Sequence, residues 1–319
     1  LHDGDAVKFR GETTGADGLP QHDLAIAALL LATIVWGSGP LLVRGISAPS
    51  LAAAPVRVVA SIPAMWAVSY FMGGRITKEL WKLSVIPGFF FAGNMLFAFL
   101  AFNHTTVAHG SLIVALNPIV MLVVAPIMFK ERVTFRKVAF SLVALSGIAM
   151  VVIFGNSSGE ATLLGDFYAL LCLASWSAYI LLTKKLRNIN VHPGAFLTTV
   201  LVIAGAILMP IGILTGADFG QIDGNDWWLI LGQVVLVQII GFGVVTWSSR
   251  YIEVTLASVI GLLSPALSAV GAWIVFDQEM VVAQILGGII MLMAVGGVIV
   301  TRDLTASAVR PVDTGAASQ

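Results

Sequence analysis

The chain has 319 residues, of which 58% are hydrophobic and 11% charged, and its 17 Lys plus Arg balance 17 Asp plus Glu. Soluble domains carry roughly 25% charged residues, so this composition and a mean hydropathy of +0.96 exclude a water-soluble globule and make lipid the solvent for much of the surface. Zero net charge argues against a nucleic-acid partner, and the single cysteine, Cys172, excludes an internal disulfide.

Residues 1–22 mix Lys8, Arg10 and Glu12 with Asp and Gly and hold no apolar core, which reads as a cytoplasmic polar tail and not a signal peptide. A helix needs about 20 apolar residues to cross the hydrocarbon. Such runs fall at Leu24–Val43, Leu51–Met72, Leu83–Phe102, Val107–Phe129, Val138–Phe154, Phe167–Leu186, Ala195–Thr215, Trp228–Trp247, Val254–Phe276 and Val281–Val300. Short connections make neighbouring spans antiparallel and leave no room for a soluble domain. Residues 303–319 form a second cytoplasmic tail rich in Ala, Ser and Thr.

With ten spans, the basic residues fall on one side. Lys8 and Arg10 precede span one; Arg75, Lys78 and Lys82 follow span two; Lys130, Arg132, Arg136 and Lys137 follow span four. Lys184, Lys185 and Arg187 end span six, Arg250 follows span eight, and Arg302 and Arg310 close the chain. The other side receives Arg44. The positive-inside rule then places both termini in the cytoplasm. Trp81, Trp227, Trp228, Trp247 and Trp273 sit at span ends, as interfacial indoles do, whereas Trp36 and Trp176 lie mid-span.

The halves repeat. Asp23 and Asp166 open spans one and six, each leading to a mid-span Trp. Val107, Ser111, Ile113, Leu116, Pro118, Val123, Ala125 and Phe129 match Val254, Ser258, Ile260, Leu263, Pro265, Val270, Ala272 and Phe276 at constant offset, and Glu131 and Glu279 follow. Five spans per half turn the second half upside down, giving an inverted repeat of residues 23–155 and 165–302, as secondary transporters have.

Trp36-Gly37-Ser38-Gly39-Pro40, Arg57, the Asn103-to-Pro118 stretch, Glu131, Asp166, Trp176, Pro265 and Glu279 together resemble the drug/metabolite transporter superfamily, EamA-type, over residues 23 to 302. Within it the chain looks most like YddG-type exporters of aromatic and other amino acids. The resemblance implies a ten-helix bundle around a central cavity, lined mainly by spans one, three, four, six, eight and nine, and export through the bacterial inner membrane. One departure is Ser177, where the first half has Gly37.

At about 1.5 Å per residue, Trp36, Ser38, Asn94, Asn117, Trp176, Tyr179, Gln238 and Ser264 fall in the middle third of their spans. Polar groups at that depth either line a wet cavity or bond neighbouring helices for about 0.6 kcal/mol each. The first alternative makes Trp36, Trp176 and Tyr179 an aromatic wall, which also suits an ammonium group. Pro118 and Pro265 occupy equivalent helices and read as a hinge pair or as static kinks. Arg57 is the basic residue well inside a span; it either captures a substrate carboxylate, or snorkels to the outer headgroups or bonds helix carbonyls. His104 and His109 lie near the outer mouth and are expected to be interface residues.

No Asp or Glu lies deep in a span, which favours a facilitative carrier over a carboxylate-coupled antiporter. There is no metal-binding motif, no P-loop lysine and no nucleophile–base pair at depth, so neither an enzyme nor a cofactor is expected. The expectation is an all-α polytopic membrane protein that exports neutral amino acids and related small metabolites by alternating access. The alternative is a carrier of drugs, cationic compounds or nucleotide sugars, with or without proton coupling. Gly287-Gly288 and Gly296-Gly297 permit close packing within the bundle or between copies, which leaves a homodimer open.

Overall fold

The computed structural model describes residues 21–104, 110, 113–131, 133–154, 162–276 and 281–307. Most of both tails, His109, Glu279 and the Val107 and Ser111 positions of the repeat lie outside them.

The described residues form ten helical spans. They are α1 (Gln21–Gly45), α2 (Ser50–Phe71), α3 (Lys78–His104), α4 (Ile113–Phe129), α5 (Phe135–Ile153), α6 (Leu163–Asn188), α7 (Pro193–Leu214), α8 (Gly224–Ser248), α9 (Val254–Gly261 and Leu263–Phe276) and α10 (Val282–Ser307). Among the described residues nine are long and apolar enough to cross a membrane, and α4 is shorter. Side-chain caps start several of them: Thr134 accepts from Lys137 N–H, Thr162 from Gly165 N–H, and Asp223 from Asp226 N–H, each satisfying a donor the first turn leaves orphaned.

The packing pairs follow the repeat. Helix α3 packs on α6 as α8 packs on α1; α3 meets α7 as α8 meets α2; α1 meets α9 as α6 meets α4. The equivalent helices α2 and α7, α4 and α9, and α5 and α10 pack directly on each other. The apolar core divides differently, into two large clusters and two small ones. One large cluster joins α1, α5, α9 and α10 with Ala115 of α4 and Val245 of α8, the other α2, α3, α6, α7 and α8. Each contains helices from both halves of the chain, so neither half buries its apolar faces alone. Trp36 and Ile180 touch both clusters and sit on the seam. The outer surface is apolar, with Leu163, Phe135, Phe71 and Leu214 at least 85% exposed, as a lipid-facing surface requires.

Three spans depart from regular helices. In α4 the chain turns at Leu116, and in α9 at Leu262. Pro118 and Pro265 cause this: each lacks the N–H that would bond four residues back, at Val114 and Gly261. In α8, residues Gln233–Phe242 form a π-helix, a wide turn frequent at functional sites. Its buried residues, Gln233, Val234, Val237, Gln238, Gly241 and Phe242, recur every four positions. The wider turn keeps one face pointed inward where an α-helical repeat of 3.6 would drift.

Candidate functional site

The Trp36-Gly37-Ser38-Gly39 run explains how α1 reaches its neighbours. Gly37 lets the backbone press on α9, since a Cβ there would meet Leu267 Cβ at 2.8 Å and the Ser264 carbonyl at 3.2 Å. Trp36 points toward α8, where Gly241 makes room: a Cβ at 241 would lie 2.5 Å from the indole Nε1. The Gly39 carbonyl accepts from Gln233 Nε2 at 3.2 Å.

Around Trp36 stands a closed aromatic cluster drawn from four helices. Ring centroids are 5.8 Å apart for Trp36–Trp176, 5.1 Å for Trp36–Phe242, 5.8 Å for Trp176–Tyr179, 5.1 Å for Phe91–Tyr179 and 5.2 Å for Phe91–Phe242. Most contacts are edge-on, the arrangement aromatic quadrupoles favour. Phe91 and Phe242 were invisible to sequence reasoning, because an apolar ring in an apolar span carries no signal of its own.

The cluster is lined by buried polar atoms without a protein partner. They include Trp36 Nε1 and both ends of the Gln238 amide. Gln238 lies one turn from Phe242 on the same inward face. The Tyr179 hydroxyl sits beside Thr183 and Thr246, and none of the three completes a well-formed hydrogen bond. Leaving such a group unsatisfied costs about 1–3 kcal/mol. Several together give this seam hydrogen-bonding capacity that a polar guest could use.

The other sequence candidates are tied to neighbouring helices. Asn94 Nδ2 lies 3.2 Å from Cys172 Sγ and 3.4 Å from the Cys172 carbonyl, joining α3 to α6. Asn117 Nδ2 donates to Ser177 Oγ at 2.9 Å, joining α4 to α6 just before Pro118. Ser177, the departure from Gly37, therefore anchors the α4 break. Ser38 Oγ turns back to the Val35 carbonyl, and Ser264 is half-buried on α9. Arg57 is neither snorkelling nor salt-bridged: Nη1 donates to Gln233 Oε1 at 2.5 Å and Nη2 lies 3.1 Å from Met95 Sδ. Two apolar clefts lie away from the cluster, one of about 280 Å³ along α4 and α5, and a small one between α2, α3 and α7.

Two carboxylates clamp opposite ends of the bundle. Asp226, at the start of α8, accepts from Ser47 N–H (2.8 Å), Ser47 Oγ (3.0 Å) and Ala48 N–H (3.0 Å), at the α1–α2 corner. At the basic end, Glu131 accepts from Val254 N–H (2.8 Å) and Thr255 Oγ1 (3.0 Å) at the N-terminus of α9, where a negative charge also meets the positive helix end. Lys137 pairs with Glu253 beside it, and Lys184 donates to the Ile252 carbonyl. The α4–α5 and α8–α9 corners are thereby bound together.

The sequence matches the EamA-like transporter family twice, over residues 23–153 and 163–300. The chain belongs to this family. It is a multi-pass membrane transporter. Its relatives include the uncharacterized transporter YxxF of Bacillus subtilis, 23% identical over 257 residues that span 78% of this chain and 81% of the relative. An uncharacterized transporter of Archaeoglobus fulgidus is 21% identical over 84% of this chain and 94% of its own. A crystal structure 18% identical in sequence shares the fold with a TM-score of 0.74, over 87% of this chain and 98% of the other.

Proposed function

We propose that this transporter exports aromatic and other neutral amino acids, with related small metabolites, through the bacterial inner membrane by facilitative alternating access. The observation that carries the reading is the Trp36–Trp176–Tyr179–Phe242 cluster on the seam between the two cores, with unpartnered donors and acceptors from α1, α6 and α8 beside it. Aromatic faces take an apolar or aromatic side chain, and the Trp36, Tyr179 and Gln238 groups take the polar backbone of the same molecule. Among the described residues no carboxylate lies in this cluster. A proton relay of the embedded-carboxylate kind therefore has no seat there.

In this reading residues 23–155 and 165–302 act as inverted repeats with both termini in the cytoplasm. The breaks at Pro118 and Pro265 serve as paired hinges that let α4 and α9 exchange conformations. The test is a substrate panel on purified protein in liposomes. Labelled leucine, methionine and phenylalanine should move down their gradients with and without a pH gradient. A folded protein that moves none of them, but moves organic cations or nucleotide sugars, would replace the substrate assignment.

A further inference from the structure

Arg57 lies about two turns into α2, and its neighbour Met95 stands one turn along α3 from Phe91 of the aromatic cluster. Its partners are the neutral Gln233 amide and the Met95 thioether, and its Nε is buried with no partner. Among the described residues no carboxylate pairs with it. The acid nearest along α8, Asp226, is committed to Ser47 and Ala48 two turns from Gln233. A half-buried guanidinium held by neutral groups keeps its charge uncompensated, and removing a charge from water is costly unless it is paired.

The surroundings define what would compensate it. Gln233 presents its oxygen to Arg57 and its nitrogen to the Gly39 carbonyl, so one amide sets the guanidinium between α1, α2 and α8. Met95, on the other side of the guanidinium, also lines the small apolar cleft with Leu51, Pro55 and Leu208. That cleft has room for about one water, so what the planar cation lacks is a carboxylate alone.

We propose that Arg57, oriented by Gln233, is the subsite that recognises the carboxylate of the transported molecule. This rests on the transporter reading and narrows it: the substrate is an acid or zwitterion, and its decarboxylated or amidated analogue is rejected. Gln233 is a positioning residue whose neutrality leaves the guanidinium charge available.

The experiment compares leucine, 4-methylpentanoate and leucinamide as stabilisers of purified protein against heat, and as competitors of labelled leucine flux in phosphatidylcholine vesicles. Leucine and 4-methylpentanoate should bind about ten- to a hundredfold more tightly than leucinamide, the range for a charge-assisted hydrogen bond. Gln233→Glu should abolish that preference by supplying Arg57 with a permanent internal carboxylate. The variant keeps the side chain's shape but exchanges the bond to the Gly39 carbonyl for an ion pair, so its fold is checked by melting; Arg57→Gln provides a second route to the same loss of preference.

Leucinamide binding as tightly as leucine, or Gln233→Glu retaining the preference, would overturn the proposal. So would an Arg57-dependent stabilisation produced by adding phosphatidylglycerol in place of the carboxylates, which would make Arg57 a lipid contact. Carboxylate-selective, Arg57-dependent binding without amino-acid flux would uphold the subsite and remove the amino-acid assignment. Flux without carboxylate selectivity would do the reverse.

Discussion

Helices α5 and α10 cross backbone to backbone, and two adjacent glycines there should respond to the same substitution with opposite signs. A Cβ at Gly287 would lie 2.6 Å from the Gly147 carbonyl oxygen, 2.8 Å from Met150 Cβ and 3.0 Å from the Val151 nitrogen. Two of those atoms are backbone and cannot rotate away. Restoring ordinary contact at 3.4 Å or more means moving one helix by about 0.8 Å from the 2.6 Å approach. Overpacking of this kind costs about 1–3 kcal/mol, against a helix-propensity gain of about 1 kcal/mol for Gly to Ala. Gly287→Ala should therefore lose up to about 2 kcal/mol. At Gly288 nothing lies within 4 Å, so Gly288→Ala should be neutral or gain up to about 1 kcal/mol. Gly147→Ala meets the Gly287 carbonyl at 2.6 Å and should behave like Gly287→Ala. The two together should cost less than their sum, because one separation relieves both contacts. Thermal melting of the purified variants in one detergent reads all four. Equal shifts for Gly287→Ala and Gly288→Ala would refute the close crossing.

Glu131→Gln keeps the side chain's shape but removes the charge from the α9 N-terminus, a loss of about 1–2 kcal/mol. Hydrogen exchange at Val254 and Thr255 should rise about tenfold; unchanged protection would mean that the clamp does not hold the basic end shut. Gly241→Ala drives a methyl into the space of the Trp36 indole and should alter the near-ultraviolet circular dichroism of the Trp36–Trp176 pair more than it lowers the melting temperature. Trp176→Ala should change the ranking of leucine, methionine and phenylalanine in a competition panel, and an unchanged ranking would return Trp176 to a packing role.

Ten spans and their order were legible because each runs near the hydrocarbon thickness and punctuation between them is polar. The breaks in α4 and α9 were half legible. Pro118 and Pro265 announce a lost hydrogen bond, but the chain turns earlier, at Leu116 and Leu262. The π-helix of α8 left no trace, because residue spacing does not record which carbonyl an N–H will choose. Trp36, Trp176 and Tyr179 converge because they are large and mid-span on helices that pack on the same seam. Asn94 and Asn117 had the same depth and polarity, yet each pairs with a side chain some 60 to 80 residues away, Cys172 and Ser177. Depth in a span fixes how far a side chain lies from water; only the packing decides whether a neighbour takes up its hydrogen bonds. Asp226 went unread because an acid at a helix start looks solvent-bound until the α1–α2 corner folds over it.

Alternating access requires that the seam holding Trp36 open to one side of the membrane and then to the other. With Cys172 replaced by Ala, Ser38→Cys places a single thiol two residues from Trp36. A membrane-impermeant maleimide applied to sealed vesicles from outside, and separately from within, should label it from both sides, and saturating leucine should slow both rates. Labelling from one side alone, indifferent to leucine, would contradict the account.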